Sequence, residues 1–251
     1  MHNKPFHAPV ASPKRILDIG CGTGAMTYLL ATRFPDAEVI GIDISPVPER
    51  YEKVANLTYV QGDIMTVGTQ DGDERFKEGS FDYVFHRLLV LGMTNWEKYL
   101  DRVNSLLAAG GWAEMQDYEM TIYSRQHENL SDGWWHHRLF KEDCKAIGLD
   151  NDVGRKLCDL MRGVHLQDVR EAVYTVPCIP SDDLPAEQQG VAKMMHGMAT
   201  MSYQRALFER VSGGRRSKEE LDKMVQGAGD VHANLGAGAY CKMFVAVGQK
   251  A

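Results

Sequence analysis

Short apolar runs alternate with helical patterns through the first half of the chain. Arg15–Ile19 follows Pro13 and is closed by Gly20, and Ala37–Ile42 ends at Asp43. Leu57–Gln61 ends at Gly62-Asp63, Phe81–Phe85 leads into His86-Arg87, and Trp112–Gln116 follows Gly110-Gly111. Apolar runs of this length, bounded by turn residues, predict five buried strands. Ala25–Arg33 carries apolar residues at helical spacing and is ended by Pro35-Asp36; Trp96–Leu107 repeats the pattern. Thr69–Ser80 is polar and reads as a loop or short exposed helix. Strand–helix–strand alternation predicts a parallel sheet covered on both faces.

The second half is less regular. Helices are predicted over Leu130–Ile147, Val153–Arg162, the methionine-rich Gln188–Val211 and the charged Lys218–Val225. Val169–Val176, ended by Pro177, and Tyr240–Gly248 read as two further strands. Gly227–Gly238 is glycine-rich and reads as a turn-filled connection. Seven strands imply one continuous sheet within a single domain over 1–251, with helical additions at 130–148 and 186–226 beside it. No internal repeat or low-complexity tract occurs.

Composition narrows the function classes. The 28 basic against 34 acidic residues give a net charge of −6. That argues against bulk nucleic-acid binding, which wants a basic field. No apolar run approaches the ~20 residues of a membrane span. The polar Met1–Val10 has no apolar stretch, so it does not read as a signal peptide. Cys21, Cys144, Cys158, Cys178 and Cys241 are odd in number, widely spaced and free of CxxC pairs. They read as reduced thiols of a cytoplasmic protein, with no zinc site. No HExxH-type spacing occurs, and no metal is assigned.

Most information lies in Asp18-Ile19-Gly20-Cys21-Gly22-Thr23-Gly24. A strand turning abruptly into a helix needs glycines, which also let a ligand approach the backbone. The helix N-terminus offers N–H groups to a polar or anionic ligand group. Asp43, at the end of the second strand, is where a carboxylate accepts both ribose hydroxyls of an adenosine. The glycines alone also fit a dinucleotide loop. Asp18 separates the two readings, because a carboxylate there repels pyrophosphate but suits an ammonium. Asp63, ending the third strand, is placed to accept the exocyclic amine of adenine. Nicotinamide oxidoreductase is the disfavoured alternative.

The Asp18 loop, Asp43, Gly62-Asp63 and Phe81-Asp82 together resemble the class I S-adenosylmethionine-dependent methyltransferases. Phe81-Asp82-Tyr83-Val84-Phe85-His86-Arg87, Asn95-Trp96 and Ala109-Gly110-Gly111-Trp112-Ala113-Glu114-Met115-Gln116-Asp117 are similar to the fungal branch of secondary metabolism, which includes regulator-like relatives. Lys4–Val10 resembles the segment that branch places before its first strand. The resemblance is good over residues 4 to 120 and weak from 186 to 238. It implies an α/β fold, a Rossmann-like doubly wound, mostly parallel seven-stranded sheet. The implied cofactor is S-adenosyl-L-methionine, with S-adenosyl-L-homocysteine as product. Its expected contacts are Asp18, Gly20, Cys21, Gly22, Gly24, Asp43, Ile44, Gly62, Asp63, Ile64, His86 and Arg87.

Methyl transfer from a sulfonium needs position and desolvation, and a base where the nucleophile has a high pKa. His86 is the candidate catalytic base, with a cofactor contact and plain packing as its other readings. Asp117-Tyr118-Glu119, expected after the fifth strand, either faces substrate or bonds its own loop. Tyr118, Trp134, His137 and Met198 are the candidate substrate contacts. Trp134-Trp135-His136-His137 begins a predicted cap helix whose face stacks on an aromatic ligand or packs on the sheet. Met194, Met195, Met198 and Met201, with His196 and Tyr203, line either a pliable pocket or a core. Gly213-Gly214-Arg215-Arg216 reads as a solvated basic loop.

The expected function is methylation of oxygen or nitrogen of a small natural product. The acceptor is a small molecule, not nucleic acid or membrane. One alternative is a cofactor-binding regulatory protein acting through a protein partner. The other is a methyltransferase-fold scaffold catalysing a non-methylating reaction.

Overall fold

A computed structural model describes residues 4–69, 72–198 and 201–251, with the backbone alone for Met201. Seven strands are β1 (Arg15–Ile19), β2 (Glu38–Asp43), β3 (Leu57–Gln61), β4 (Phe81–Arg87), β5 (Leu107–Tyr123), β6 (Gln167–Pro177) and β7 (Tyr240–Gln249). They form one sheet in the order β3-β2-β1-β4-β5-β7-β6. β1 runs parallel to β2 and β4, β3 parallel to β2, and β5 parallel to β4. Gly110 donates to the Lys250 carbonyl at 3.0 Å and Lys250 to that of Gly111 at 2.9 Å, so the start of β5 meets the end of β7 antiparallel. The doubly wound, mostly parallel sheet expected from the sequence is therefore present. Its order reverses at β1, between β2 and β4, which is the switch point where open α/β sheets bind ligands.

The chain divides into two compact units. The first comprises residues up to 117, 154–172 and 244–251. It holds α1 (Ala25–Arg33), α2 (Trp96–Leu106) and α4 (Leu157–Gly163), numbered with α3 of the other unit. Ile16, Leu30, Val39, Tyr83, Phe85, Trp112 and Val247 form one buried cluster, joined by Ala8 from the N-terminal segment. Helix α2 starts where the Asn95 side chain accepts the Lys98 N–H at 3.0 Å. It buries Trp96, Tyr99, Leu100, Val103 and Leu106, one helical face.

The second unit comprises residues 118–153 and 173–243. It holds α3 (Trp135–Ala146), α5 (Ala186–Met198), α6 (Met201–Ser212) and α7 (Lys218–Ala233). Ala199 and Thr200, inside the long helix expected over 188–211, lie outside the described residues, and so does the Met201 side chain. Helix α7 opens on a capping box in which Ser217 accepts the Glu220 N–H and Glu220 accepts that of Ser217.

Three expectations need correction. The glycines of 227–238 do not make a turn-filled connection, because α7 continues to Ala233. A Cβ on Gly227 would lie 2.9 Å from Cζ2 of Trp135, so this glycine serves close helix packing. Strand β5 runs through to Tyr123, so Asp117, Tyr118 and Glu119 lie within it, not beyond its end. Gly213–Arg216 is no free basic loop: Arg216 Nε reaches both Asp143 oxygens at 3.2 and 3.0 Å, and Arg215 donates to the Asp143 and Val211 carbonyls.

Candidate functional site

The strand registers bring the predicted residues to one edge of the first unit. Ile19 pairs with Ile42 on one side and His86 on the other, Asp43 with Gln61, and Arg87 with Gln116. Between β1 and α1 the chain makes a turn in which Gly20, Gly22 and Gly24 take φ of 66°, 53° and 78°. The N–H groups of Gly20 and Cys21 donate to the Ile42 carbonyl at 2.8 and 3.2 Å, tying the turn to β2. A Cβ on Gly24 would meet the Tyr59 Oη at 2.4 Å, whereas one on Gly22 meets only the Gly20 carbonyl at 4.0 Å. Gly22 thus forms the open lip of the turn, and Gly24 its packed base.

Two carboxylates flank this turn. Asp43 Oδ2 accepts the Gly22 N–H at 2.8 Å, and its Oδ1 accepts the Ser45 N–H at 2.9 Å. Asp18 is 2% exposed and its Oδ2 accepts the Thr27 hydroxyl at 2.6 Å. Burial pushes its pKa up to about 7, against the opposing pull of Thr27 and the Arg87 charge. Burial thus outweighs both. Cys21 is likewise buried, its thiol pushed up to about 12 by burial and by the Asp18 and Asp43 charges.

The remaining strand-end residues divide by exposure. Asp63 is exposed and its Oδ1 accepts the Met65 N–H at 2.9 Å. Gly62 donates to the Asp43 carbonyl at 2.8 Å, Ile64 is buried, and Ile44 is 70% exposed. His86 is enclosed. Its ring is 1% exposed between Trp96 and Tyr99 of α2, with Nδ1 2.8 Å from the Tyr99 hydroxyl. Its Nε2 stands 3.7 Å from Asp117 Oδ2, outside hydrogen-bond reach. Burial pushes its pKa down to about 3, so the imidazole is neutral and the two do not form an ion pair. Arg87 Nε donates to Gln116 Oε1 at 2.8 Å and its Nη2 to the Pro5 carbonyl at 2.8 Å.

The candidate substrate residues belong to the second unit. The Tyr118 hydroxyl faces Met195 Sδ at 4.0 Å, and its ring packs on Val176, Cys178, Cys241 and Met243. Trp134 stacks on His136 with ring centres 6.0 Å apart and meets His137 edge-on at 6.3 Å. Burial pushes the His137 pKa down to about 4. Met198 is 37% exposed at the end of α5.

Residues 16–111 match the family model described as a methyltransferase domain. The secondary metabolism regulator laeA of Coprinopsis cinerea is 31% identical over 185 residues, 69% of this chain and 44% of the relative. The methyltransferase str3 of Strobilurus tenacellus is 35% identical over 114 residues, 45% of this chain and 39% of the relative. Residues 16–111 thus carry a methyltransferase domain, and the chain is similar to class I S-adenosylmethionine-dependent methyltransferases of the fungal branch. It spans less than half the length of these two fungal relatives. Among solved structures, a Haemonchus contortus phosphoethanolamine N-methyltransferase 2, in complex with phosphomonomethylethanolamine and S-adenosylhomocysteine, shares the fold. Its TM-score is 0.56 at 20% identity, covering 97% of this chain and 50% of that one.

Several residues shape this methyltransferase edge without having been singled out from the sequence. Thr27 supplies the hydroxyl on Asp18, Tyr59 backs Gly24, and Tyr99 holds His86. Thr27 was legible in principle, because a polar residue stands on the helical face that must pack against β1. Glu114 and Gln116 are fully buried polar residues within β5, and their alternation in an apolar strand was the available signal. Among the described residues no helix is long and apolar enough to cross a membrane, and no group of three or more His, Cys, Asp and Glu is arranged to hold a metal.

Proposed function

We propose that the chain binds S-adenosyl-L-methionine at this edge and methylates oxygen or nitrogen of a small natural product. The observation that carries the reading is Asp18: a buried carboxylate at the foot of the glycine turn, bonded to a neutral hydroxyl, whose burial the Arg87 charge only partly offsets. An amino-acid ammonium is the group that it fits. Asp43 beside Gly22 fits the ribose hydroxyls, and Asp63 with the apolar Ile44 and Ile64 fits adenine. When bound, the cofactor supplies an electrophilic methyl on a sulfonium and remains as S-adenosyl-L-homocysteine.

The chain's own residues supply binding, orientation and a neutral surround. Gly20, Cys21, Gly22 and Gly24 hold the turn, and the Arg87 charge opposes the effect of burial on Asp18. His86, neutral and enclosed, orients Tyr99 and the end of β4 and is not assigned the base. Tyr118, Trp134, His137 and Met198 are proposed as acceptor contacts, the segments 130–148 and 186–226 being the substrate-side part of a single methyltransferase domain. A cytoplasmic location belongs to the same proposal, supported by five free, buried cysteines. The test is incubation with methyl-labelled cofactor and candidate metabolites. A mass gain of one methyl is expected, and none in Asp43→Ala.

A further inference from the structure

We infer that Glu114 is a positioning residue of the cofactor edge: its carboxylate clasps the backbone of His7 and Ala8 and, through Gln116 and the Pro5 carbonyl, fixes Arg87 at the end of β4. The inference rests on the cofactor reading given above.

Glu114 sits in β5 with no exposed surface. A buried carboxylate is tolerated only where donors surround it. Here Oε2 accepts the His7 N–H at 2.6 Å, the Ala8 N–H at 2.7 Å and the Tyr83 hydroxyl at 2.9 Å. Oε1 accepts Gln116 Nε2 at 2.6 Å and stands 3.3 Å from His7 Nδ1. Burial raises the pKa of this carboxyl, but the bonds from His7, Ala8 and Gln116 outweigh it and hold the group below the usual range. The His7 and Ala8 donors lie more than a hundred residues away in sequence, so the carboxylate fastens their segment to β5.

The fastening passes to the site through Gln116. Its Nε2 also donates to the Pro5 carbonyl at 3.0 Å, and its Oε1 accepts Arg87 Nε at 2.8 Å. The same Pro5 carbonyl accepts Arg87 Nη2 at 2.8 Å. Phe6 and Ala8 seat the segment between these bonds, Phe6 against Phe34 and Tyr83 at ring-centre distances of 5.5 and 6.4 Å. Arg87 is thereby held by both the strap and β5. Its charge acts on Asp18, which also faces Thr27 and Asp43. Glu114 thus sets the place of the cation that keeps Asp18 ready to ionise, without touching a ligand itself.

The experiment compares wild type with Glu114→Gln, and with Gln116→Met, which removes the Gln116 bonds to Glu114, to the Pro5 carbonyl of the strap and to Arg87, and serves if the first variant fails to fold. Amide hydrogen exchange by mass spectrometry reads the strap, and calorimetry with S-adenosylhomocysteine between pH 5.5 and 8 reads the site. In both variants exchange over residues 5–10 should speed by about tenfold or more, as expected when local bonds open. Affinity should fall by about tenfold, and the pH midpoint of binding should move upward by about half a unit, as expected when a neighbouring cation is displaced. A generally weakened fold would lower the melting temperature without moving that midpoint. Unchanged exchange in a folded variant overturns the clasp. Faster exchange with wild-type affinity and midpoint overturns its role at the site. Wild-type protein that takes up no S-adenosylhomocysteine overturns the cofactor reading, while exchange still reports separately on the clasp.

Discussion

Thr27 donates its hydroxyl to Asp18 at 2.6 Å, joining the first turn of α1 to the end of β1 beneath the glycine turn. That bond is made to a carboxyl whose pKa burial has raised from 3.8 to about 7. Between those values the folded chain binds this proton more tightly than the unfolded chain. The group's contribution to stability therefore grows as pH falls from about 7 towards 4. Ligand binding has the opposite sign, because an ammonium needs the ionised form. Calorimetry should show S-adenosylhomocysteine affinity rising with pH, by up to about tenfold per unit below the raised pKa, and levelling above it. Asp18→Asn should weaken binding by about tenfold or more and flatten the pH dependence.

The turn's glycines are not equivalent. Gly24→Ala forces the Tyr59 ring off its place, from a 2.4 Å approach, and keeps a φ of 78°. It should cost about 1–3 kcal/mol of stability, read by urea denaturation. Gly22→Ala meets open space at a φ of 53° and should cost about 1 kcal/mol. Its larger effect should be on ligand affinity, since the methyl occupies the lip of the turn. Equal affinity losses in the two variants at matched stability would contradict this division.

His86 should be silent to pH near neutrality. Its folded pKa of about 3 lies below the ordinary 6.5, so its contribution to stability is full above 6.5 and is lost as pH falls towards 3. Its ring resonances in NMR should stay fixed from pH 8 to 5; a titration near 6.5 would place the ring in water. Tyr99→Phe removes the 2.8 Å partner of Nδ1 and should destabilise by about 1–2 kcal/mol.

In the second unit, Arg216→Ala leaves the Asp143 carboxylate, only 3% exposed, with the more distant Arg215 at 3.6 Å. A buried charge stripped of its closest partner is costly, here reduced because Arg216 is itself partly solvated. Denaturation should show a loss of about 2 kcal/mol, with Arg216→Lys intermediate because a lysine cannot reproduce the forked contact.

The parallel half of the sheet was legible because buried strands leave unbroken apolar runs and the glycine turn follows directly on β1. Asp43 and Asp63 were legible because each follows an apolar run, and Asp18 as the one acid inside the run that leads into the glycine turn. The rest was hidden by tertiary context. Gly227 and Gly229 read as turn residues, yet α7 passes through both, and Gly227 leaves the space that the Trp135 ring fills. Glu119 read as a loop acid, yet it is buried in β5 with Oε1 accepting the Tyr123 hydroxyl at 2.5 Å. The sequence leaves His86 open between base, cofactor contact and packing, because nothing in β4 announces that Trp96 and Tyr99 will close over it. Arg215 and Arg216 read as solvated, since their partner Asp143 lies on another helix.

The most direct measurement is isothermal titration of S-adenosylhomocysteine into the wild-type chain and into Asp43→Ala, which removes the acceptor of the Gly22 and Ser45 N–H bonds at the turn. Saturable one-to-one binding by the wild type, lost or weakened by about a hundredfold in the variant, is the predicted result. No binding by the wild type, or equal affinity in the two proteins, would contradict the account.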